Sequence, residues 1–346
     1  MQRRKPRGIL VLAKLNLPSV GAMSLKPRFH ELGFIGAELR RPECVLATAS
    51  GQILVPDSAG GVTVIEADSQ RTVLASINGQ AARLQPNSLA LCADGTLLLA
   101  HMSLHEGGIW RMQADGAAEP YLNTIAGLPM PPTNFVLLDD EQRLWVTVST
   151  RAVPRWPARR PGPGDGFVIL ADRRGARIVA QGLGFANELR VSPDGSELVV
   201  VETFARRLSR FPIRADGTLG DRSTLCEFGP GIWPDGIAYN AEGELLVASA
   251  FSNRLLIVDR RGRARIVVDQ GDAAFVDALE KRHQEGELVK PGLIAVPACD
   301  LGNCTSVAYC GVDLKNVAVG CLDGDRLACL DADVPGVPPV HWHWRF

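Results

Sequence analysis

No cysteine of this chain has a partner at the C-x-x-C spacing, so the usual zinc-binding pattern is absent. Charge of one sign is also missing. The formal net charge is −1, which argues against a general nucleic-acid or membrane-surface binder. No apolar run approaches the roughly 18 residues a membrane helix requires. No nucleophile elbow G-x-S-x-G, H-E-x-x-H metalloprotease motif or phosphate-binding loop occurs either. What is present is a chain of 346 residues, 46% hydrophobic, with 35 Gly and 23 Pro. That composition supports a sizeable core cut into short strands by many tight turns.

Eight cysteines occur, five of them between Cys299 and Cys329. Cys92, Cys310 and Cys329 sit in apolar runs and read as small core residues. A Cys299–Cys304 disulfide is an open alternative, while a reducing cytoplasm is the simpler reading. The N-terminus, MQRRKPRGILVLAKLNLPSV, has the basic start of a signal peptide. Lys14 interrupts its apolar run and no small-residue cleavage site follows, so a cytoplasmic location is expected over secretion.

A phrase recurs along the chain: a polar turn followed by β-formers. It reads SGQILVPD (50–57), DGTLLLAH (94–101), DEQRLWVTV (140–148), DGSELVVVE (194–202) and EGELLVAS (242–249), with a weaker DLKNVAVG (313–320). Most copies start 44 to 54 residues apart, the period of a β-propeller blade. A second phrase precedes the first: PECVLATASG, PNSLALCADG, TNFVLLDDEQ, ANELRVSPDG and PDGIAYNAEG. Its second position is Glu43, Asn87, Asn134, Asn187 or Asp235, eight residues before the turn each time. Ser306 takes that slot in the sixth copy.

These repeats predict an all-β fold, a six-bladed β-propeller, with the polar residue at the start of each innermost strand and aimed at the mouth of the central channel. The expected organisation is an N-terminal extension (1–40), the propeller (41–331) and a C-terminal tail (332–346). One strand of the extension is expected to complete the last blade, because a circular fold needs its ends joined. Residues 151–166, rich in Arg and Pro, read as a loop. Residues 272–288 read as a short surface helix between blades five and six.

Two carboxylates and several amide oxygens around one axis make a hard donor set, suited to Ca²⁺ or Mg²⁺. Taken singly, each Asn or Asp has a plainer reading as a turn cap. Trp233 and Phe185 precede ring positions and read equally as apolar walls or core. Arg151 and Arg155 in the Pro-rich loop read as a clamp for a carboxylate or oxyanion, or as solvated surface. His101 and His105 follow a strand of blade two and are candidates for proton transfer or packing. Glu202 reads as a nearby acid or as a partner for Arg206. His341 and His343 in the tail are a weak metal pair or a frayed end.

The stretches PECVLATASGQILVPD, TNFVLLDDEQRLWVTV, FANELRVSPDGSELVVVETFARRLSRF and WPDGIAYNAEGELLVAS carry a resemblance. Over residues 40–330 the chain is similar to the SMP-30/gluconolactonase/luciferin-regenerating-enzyme family of six-bladed propellers. The resemblance implies one divalent cation, Ca²⁺ in the first instance with Zn²⁺, Mg²⁺ or Mn²⁺ as alternatives, held by Glu43, Asn187, Asp235 and Asn134. It implies a hydrolase that opens a lactone, with Asp235 both ligand and general base, and a small-molecule substrate. Substrate-binding candidates are Arg151, Asn134, His101, His105, Glu202 and Trp233. Departures occur beside the ring: Cys44-Val45, Phe135-Val136 and Glu188 replace the family's Gly-rich followers, and Pro132 stands where sugar lactonases often carry Arg. Another metal-assisted chemistry (phosphotriester hydrolysis, or a lyase or isomerase step) and a non-catalytic ligand-binding propeller are the competing readings. No nucleic acid or membrane partner is expected, and monomer and dimer both stay open.

Overall fold

In the computed structural model, which describes residues 29–288 and 294–346, each recurring phrase forms an antiparallel hairpin. The two strands of a phrase pair become the first and second strands of a blade, as in Pro86–Leu91 with Leu97–Met102. The turn between them needs one residue with positive φ. Gly51, Gly95, Gly195 and Gly243 supply it at φ 74° to 84°, a region glycine enters without a Cβ penalty. Blade three uses Gln142 there, at φ 59°.

The described residues form six four-stranded sheets, each with its strands in sequence order except the last. Blade one runs from Leu46 to Leu74, blade two from Pro86 to Leu122, and blade three from Thr133 to Leu183. Blade four spans Ala186–Glu227 and blade five Pro234–Asp269. Blade six takes Cys304–Cys310, Asn316–Cys321 and Leu327–Ala332 from the C-terminal part and its outer strand, Phe29–Ile35, from the N-terminal part. Leu32 faces Leu330 and Ile35 faces Leu327 in that pair. The ring is therefore closed by backbone hydrogen bonds between distant chain segments, leaving no open seam between first and last blades.

Second strands such as Ile53–Asp57, Leu97–Met102, Leu144–Val148 and Leu245–Ser249 are buried at every position. The reason is packing on both faces. Leu98 and Ala100 of blade two meet Val136, Val146 and Phe167 of blade three in one cluster. Val199 and Leu208 of blade four meet Ile237 and Val247 of blade five in another. The apolar runs of the repeats are thus the inter-blade core.

The helix α1 spans Ala273–Gln284, capped by Asp272, whose carboxylate accepts from the Phe275 amide at 2.8 Å. It buries Val276, Leu279 and His283, one stripe at near-helical spacing. Loop 151–166 holds a short 3₁₀ turn at Trp156–Ala158.

The C-terminal segment is packed, not frayed. It crosses the far end of the channel. Val337 N donates to Tyr239 O, Ala49 N donates to Trp342 O at 2.7 Å, and Trp342 joins the core. At Gly336 a Cβ would fall 2.1 Å from the Tyr309 ring, so only glycine lets the tail pass there. His341 is buried and His343 exposed, so they do not form a metal pair. All eight cysteines are free thiols, Cys299 and Cys304 included. The basic–apolar segment 1–20 lies outside the described residues. Among the described residues no helix is long and apolar enough to cross a membrane.

Candidate functional site

One irregularity repeats at the head of the inner strands. In blade two the ladder pairs Pro86 with His101 and then Ser88 with Ala100, leaving Asn87 as an extra residue. Blade three does the same at Asn134, blade four across Asn187 and Glu188, and blade five across Asp235 and Gly236. Such bulges re-aim a side chain and cluster near functional sites. Here they set the polar residues around the mouth of the channel. Glu43 lies just ahead of the blade-one ladder, which begins at Leu46.

Blade six corrects the sequence reading by one residue. Cys304 pairs with Cys321 and Ser306 with Gly320, so the bulged residue is Thr305. Constant spacing to the turn pointed to Ser306, but this inner strand has 7 residues where that of blade two has 6. Thr305 Oγ1 donates to Glu43 O at 2.9 Å, as Asn87 Nδ2 donates to Asn134 O at 3.1 Å. Ser306 belongs to the tier below, where its hydroxyl donates to Glu188 Oε1 at 2.7 Å. Gly236 is required by this closure, because a Cβ there would lie 2.5 Å from Thr305 O.

The amide side chains have a common sense. Asn134 Nδ2 is committed to Ser149 Oγ at 3.0 Å and Asn187 Nδ2 to Thr203 Oγ1 at 3.1 Å. Oδ1 of Asn134 is left buried and without a partner among the described residues. Glu43 Oε2 is also buried without a hydrogen bond, and the Arg41 guanidinium lies against it out of alignment. Asp235 is buried, and among the described residues nothing donates to its carboxylate. Burial holds its carboxyl well above the ordinary range, reinforced by Glu43 and Glu188 and opposed by Arg155 and Arg41. Glu188 is likewise raised, by burial first, although Arg190 pairs with it at 2.9 Å.

Buried oxygens without donors each cost about 1–3 kcal/mol, and crowded carboxylates repel. A hard cation would relieve both conditions. Among the described residues no three His, Cys, Asp or Glu gather at metal-binding spacing. A cation would therefore need the amide oxygens as well as the carboxylates, and Glu43, Asn134, Asn187 and Asp235 offer that all-oxygen set.

The other expected residues are placed as follows. Asn87 Oδ1 accepts from the Arg41 guanidinium at 3.0 Å. His101 is buried, and its Nδ1 accepts from Gln85 N at 3.0 Å. Burial lowers its pKa, with Glu106 pulling the other way. His105 is exposed in a hairpin turn. Glu202 is fully buried and saturated by Arg207, Ser209 and the Gly184 amide. Burial raises its pKa, and these donors together more than offset that and leave it lowered. Arg206 pairs instead with Glu280 of α1. Trp233 is fully buried in an aromatic cluster with Phe251 and His283. Phe185 sits edge-on to Phe204 at 4.9 Å. Arg151 is exposed, its guanidinium 4.4 Å from the Phe167 ring.

Sequence reasoning missed Arg41, Arg159, Glu188 and Thr305. Arg159 could be suspected only as one more Arg in a Pro-rich loop. Glu188 could have been found from its place beside Asn187. A cleft of about 560 Å³ opens between loop 151–166, blade four and α1, lined by Phe204, Arg206, Phe228 and His283 among others. It contains none of the ring residues.

Residues 132–274 match the family model of the SMP-30/Gluconolactonase/LRE-like region. Among curated proteins, the chain is 31% identical over 143 residues to a strictosidine synthase-like protein of Arabidopsis thaliana. That match covers 39% of this chain and only 37% of the relative's length. Among solved structures, a gluconolactonase from Xanthomonas campestris superposes with a TM-score of 0.65 at 19% identity, covering 96% of this chain and 99% of that one. A calcium-binding regucalcin from Agrobacterium tumefaciens gives 0.61 at 17% identity, covering 91% and 97%. At these identities the structural likeness establishes the propeller fold.

Proposed function

We propose that this chain, a six-bladed propeller with an SMP-30/gluconolactonase/LRE-like region at residues 132–274, is a divalent-cation-dependent hydrolase that opens a lactone. Ca²⁺ is the preferred ion, in keeping with the all-oxygen donor set and with the calcium-binding regucalcin neighbour. The observation that carries the reading is the buried Oδ1 of Asn134, without a partner among the described residues, at the same inner-strand bulge position that Asp235 takes in blade five.

Glu43, Asn134, Asn187 and Asp235 would hold the ion. When bound, the ion polarises the lactone carbonyl and acidifies water. Asp235 then has the role of general base. Its carboxylate accepts no hydrogen bond from the described residues, so its lone pairs are open to the ion and to the proton of an attacking water.

A panel of lactones, assayed with Ca²⁺, with EDTA and after Ca²⁺ is restored, tests the reading. Hydrolysis that disappears with EDTA and returns with Ca²⁺ is expected. Hydrolysis indifferent to EDTA, or none of any lactone, overturns it.

A further inference from the structure

The Arg- and Pro-rich loop is not a solvated arm. Thr150 Oγ1 donates to Asp165 Oδ1, tying its ends, and Ala158 packs into the cluster of Phe185, Phe204 and Trp233. Arg151 and Arg160 face solvent, while Arg155 and Arg159 turn inward. Arg155 starts from blade three, lies against Met102 Sδ of blade two, and reaches within 5.8 Å of the Phe185 ring at the head of blade four. Three neighbouring blades are thus spanned across the mouth by one side chain. Arg159 stacks on Trp156 at 4.4 Å, and Arg155 lies 5.3 Å from the same indole.

We propose that Arg155 and Arg159 are a specificity-determining clamp, and that the substrates of this site carry a carboxylate near the bond that is opened. This deepens the lactonase reading and rests on it for the identity of the reacting group. The described contacts of the two guanidiniums are to aromatic rings and a thioether, and none is a carboxylate. Half-buried cations that Glu43 and Asp235 reach only through space, with no carboxylate paired directly to them, gain from a ligand that supplies acceptors. Burial, joined by Arg159, draws Arg155 down to about 9, and burial draws Arg159 down to about 10. Arg159 lies over Trp156, and Arg155 spends one N–H on Met102 Sδ and keeps others for a ligand; a guanidinium fork matches a planar carboxylate in two-pronged fashion. The enclosure by Met102 and Phe185 disfavours a tetrahedral, strongly hydrated dianion.

The test uses the full chain and an unreactive pair, cyclopentanecarboxylate and cyclopentanecarboxamide, with binding measured by calorimetry in EDTA and again in Ca²⁺. The carboxylate is expected to bind tenfold or more tightly than the amide under both conditions, in line with a charge-assisted contact. Arg155→Gln and Arg159→Gln should each reduce that ratio about tenfold, and Arg155→Lys should retain part of it. If Arg155→Gln does not fold, Arg159→Gln and Arg155→Lys decide the matter. Equal binding of the two probes by the native chain overturns the clamp. So does a preference that exists only with Ca²⁺, or one that both Gln variants preserve. A preference that behaves as expected in a protein that opens no lactone leaves the clamp standing and removes the lactonase reading.

Discussion

At the mouth of the channel, Asn134 buries an oxygen that no donor among the described residues satisfies, Glu43 buries one that meets only an unaligned Arg41, and Asp235 accepts no hydrogen bond from the described residues. At the foot, the same inner strands are sealed by Val337–His341 over a channel cavity of about 280 Å³. There the backbone of the tail is paired, Val337 N to Tyr239 O and Ala49 N to Trp342 O, and Trp342 is in the core. The strands that make both ends are alike. What differs is the finish: packing and paired backbone at the foot, where His341 Nε2 is the orphaned side-chain atom among the described residues of the plug, and buried carboxylate and amide oxygens without hydrogen bonds at the mouth. The contrast teaches where each kind of mutation should act, since unsatisfied polar groups persist where function compensates their cost.

The largest effect that would sharpen this contrast is at Asp235. Asp235→Asn should weaken Ca²⁺ binding at least hundredfold by calorimetry and abolish turnover. Its melting temperature in EDTA should be unchanged or higher, because a buried charge is removed. Unaltered Ca²⁺ affinity would erase the distinction between the two ends. At the foot, Trp342→Ala should do the reverse. A loss of about 3 kcal/mol in denaturant unfolding is expected for a truncated core aromatic, with Ca²⁺ affinity within about twofold of the native chain. A matching fall in affinity would show the ends to be coupled.

His341 gives a smaller, pH-dependent effect. Burial, with Arg190 adding to it, pulls its pKa from 6.5 to about 4. The folded state therefore prefers the neutral ring. Its contribution to stability is complete above pH 6.5 and lost as pH falls through 6.5 toward about 4, where the unfolded chain binds the extra proton. His283, buried beside Trp233 and also held near 4, adds to the same slope. Thermal melts of the metal-free protein between pH 7 and 4.5 should fall steadily, and His341→Leu should flatten the slope without abolishing it. An unchanged slope in that variant would remove His341 from the account.

The smallest expected effect is Asn87→Ala, less than about threefold in Ca²⁺ affinity. Its Oδ1 is taken by Arg41 and its Nδ2 by Asn134 O. A loss beyond tenfold would extend the donor set to blade two.

Much of the propeller was legible because each blade repeats its own local chemistry: a glycine turn, an apolar second strand, and a polar residue at a fixed distance. The closure of blade six by a strand of the N-terminal part followed from circular geometry and is what the pairing of Phe29–Ile35 with Leu327–Ala332 displays. Spacing failed at Ser306, since counting residues cannot detect a strand longer by one. It failed for Glu202 in a different way. A carboxylate at a strand end looks available, yet Arg207, Ser209 and Gly184, all nearby in the blade, consume it. The Arg-rich loop offered Arg151 and Arg155 on equal terms, and only the path of the loop separates an exposed Arg151 from a half-buried Arg155 and Arg159. The same holds for the tail, where composition suggested a loose end and packing against Tyr309 and blade one made it a plug.

By itself, the order of residues determined the number of blades, the positions of their turns and the oxygen-bearing side chain that opens four of the inner strands, because those depend on interactions within some ten residues. Which of those oxygens stay unpartnered, which arginines face them and what closes the other end were decided by tertiary structure alone. The reason is that burial and hydrogen-bond competition are set by neighbours brought from other blades, 46 residues away for Arg41 with Asn87 and 262 for Thr305 with Glu43.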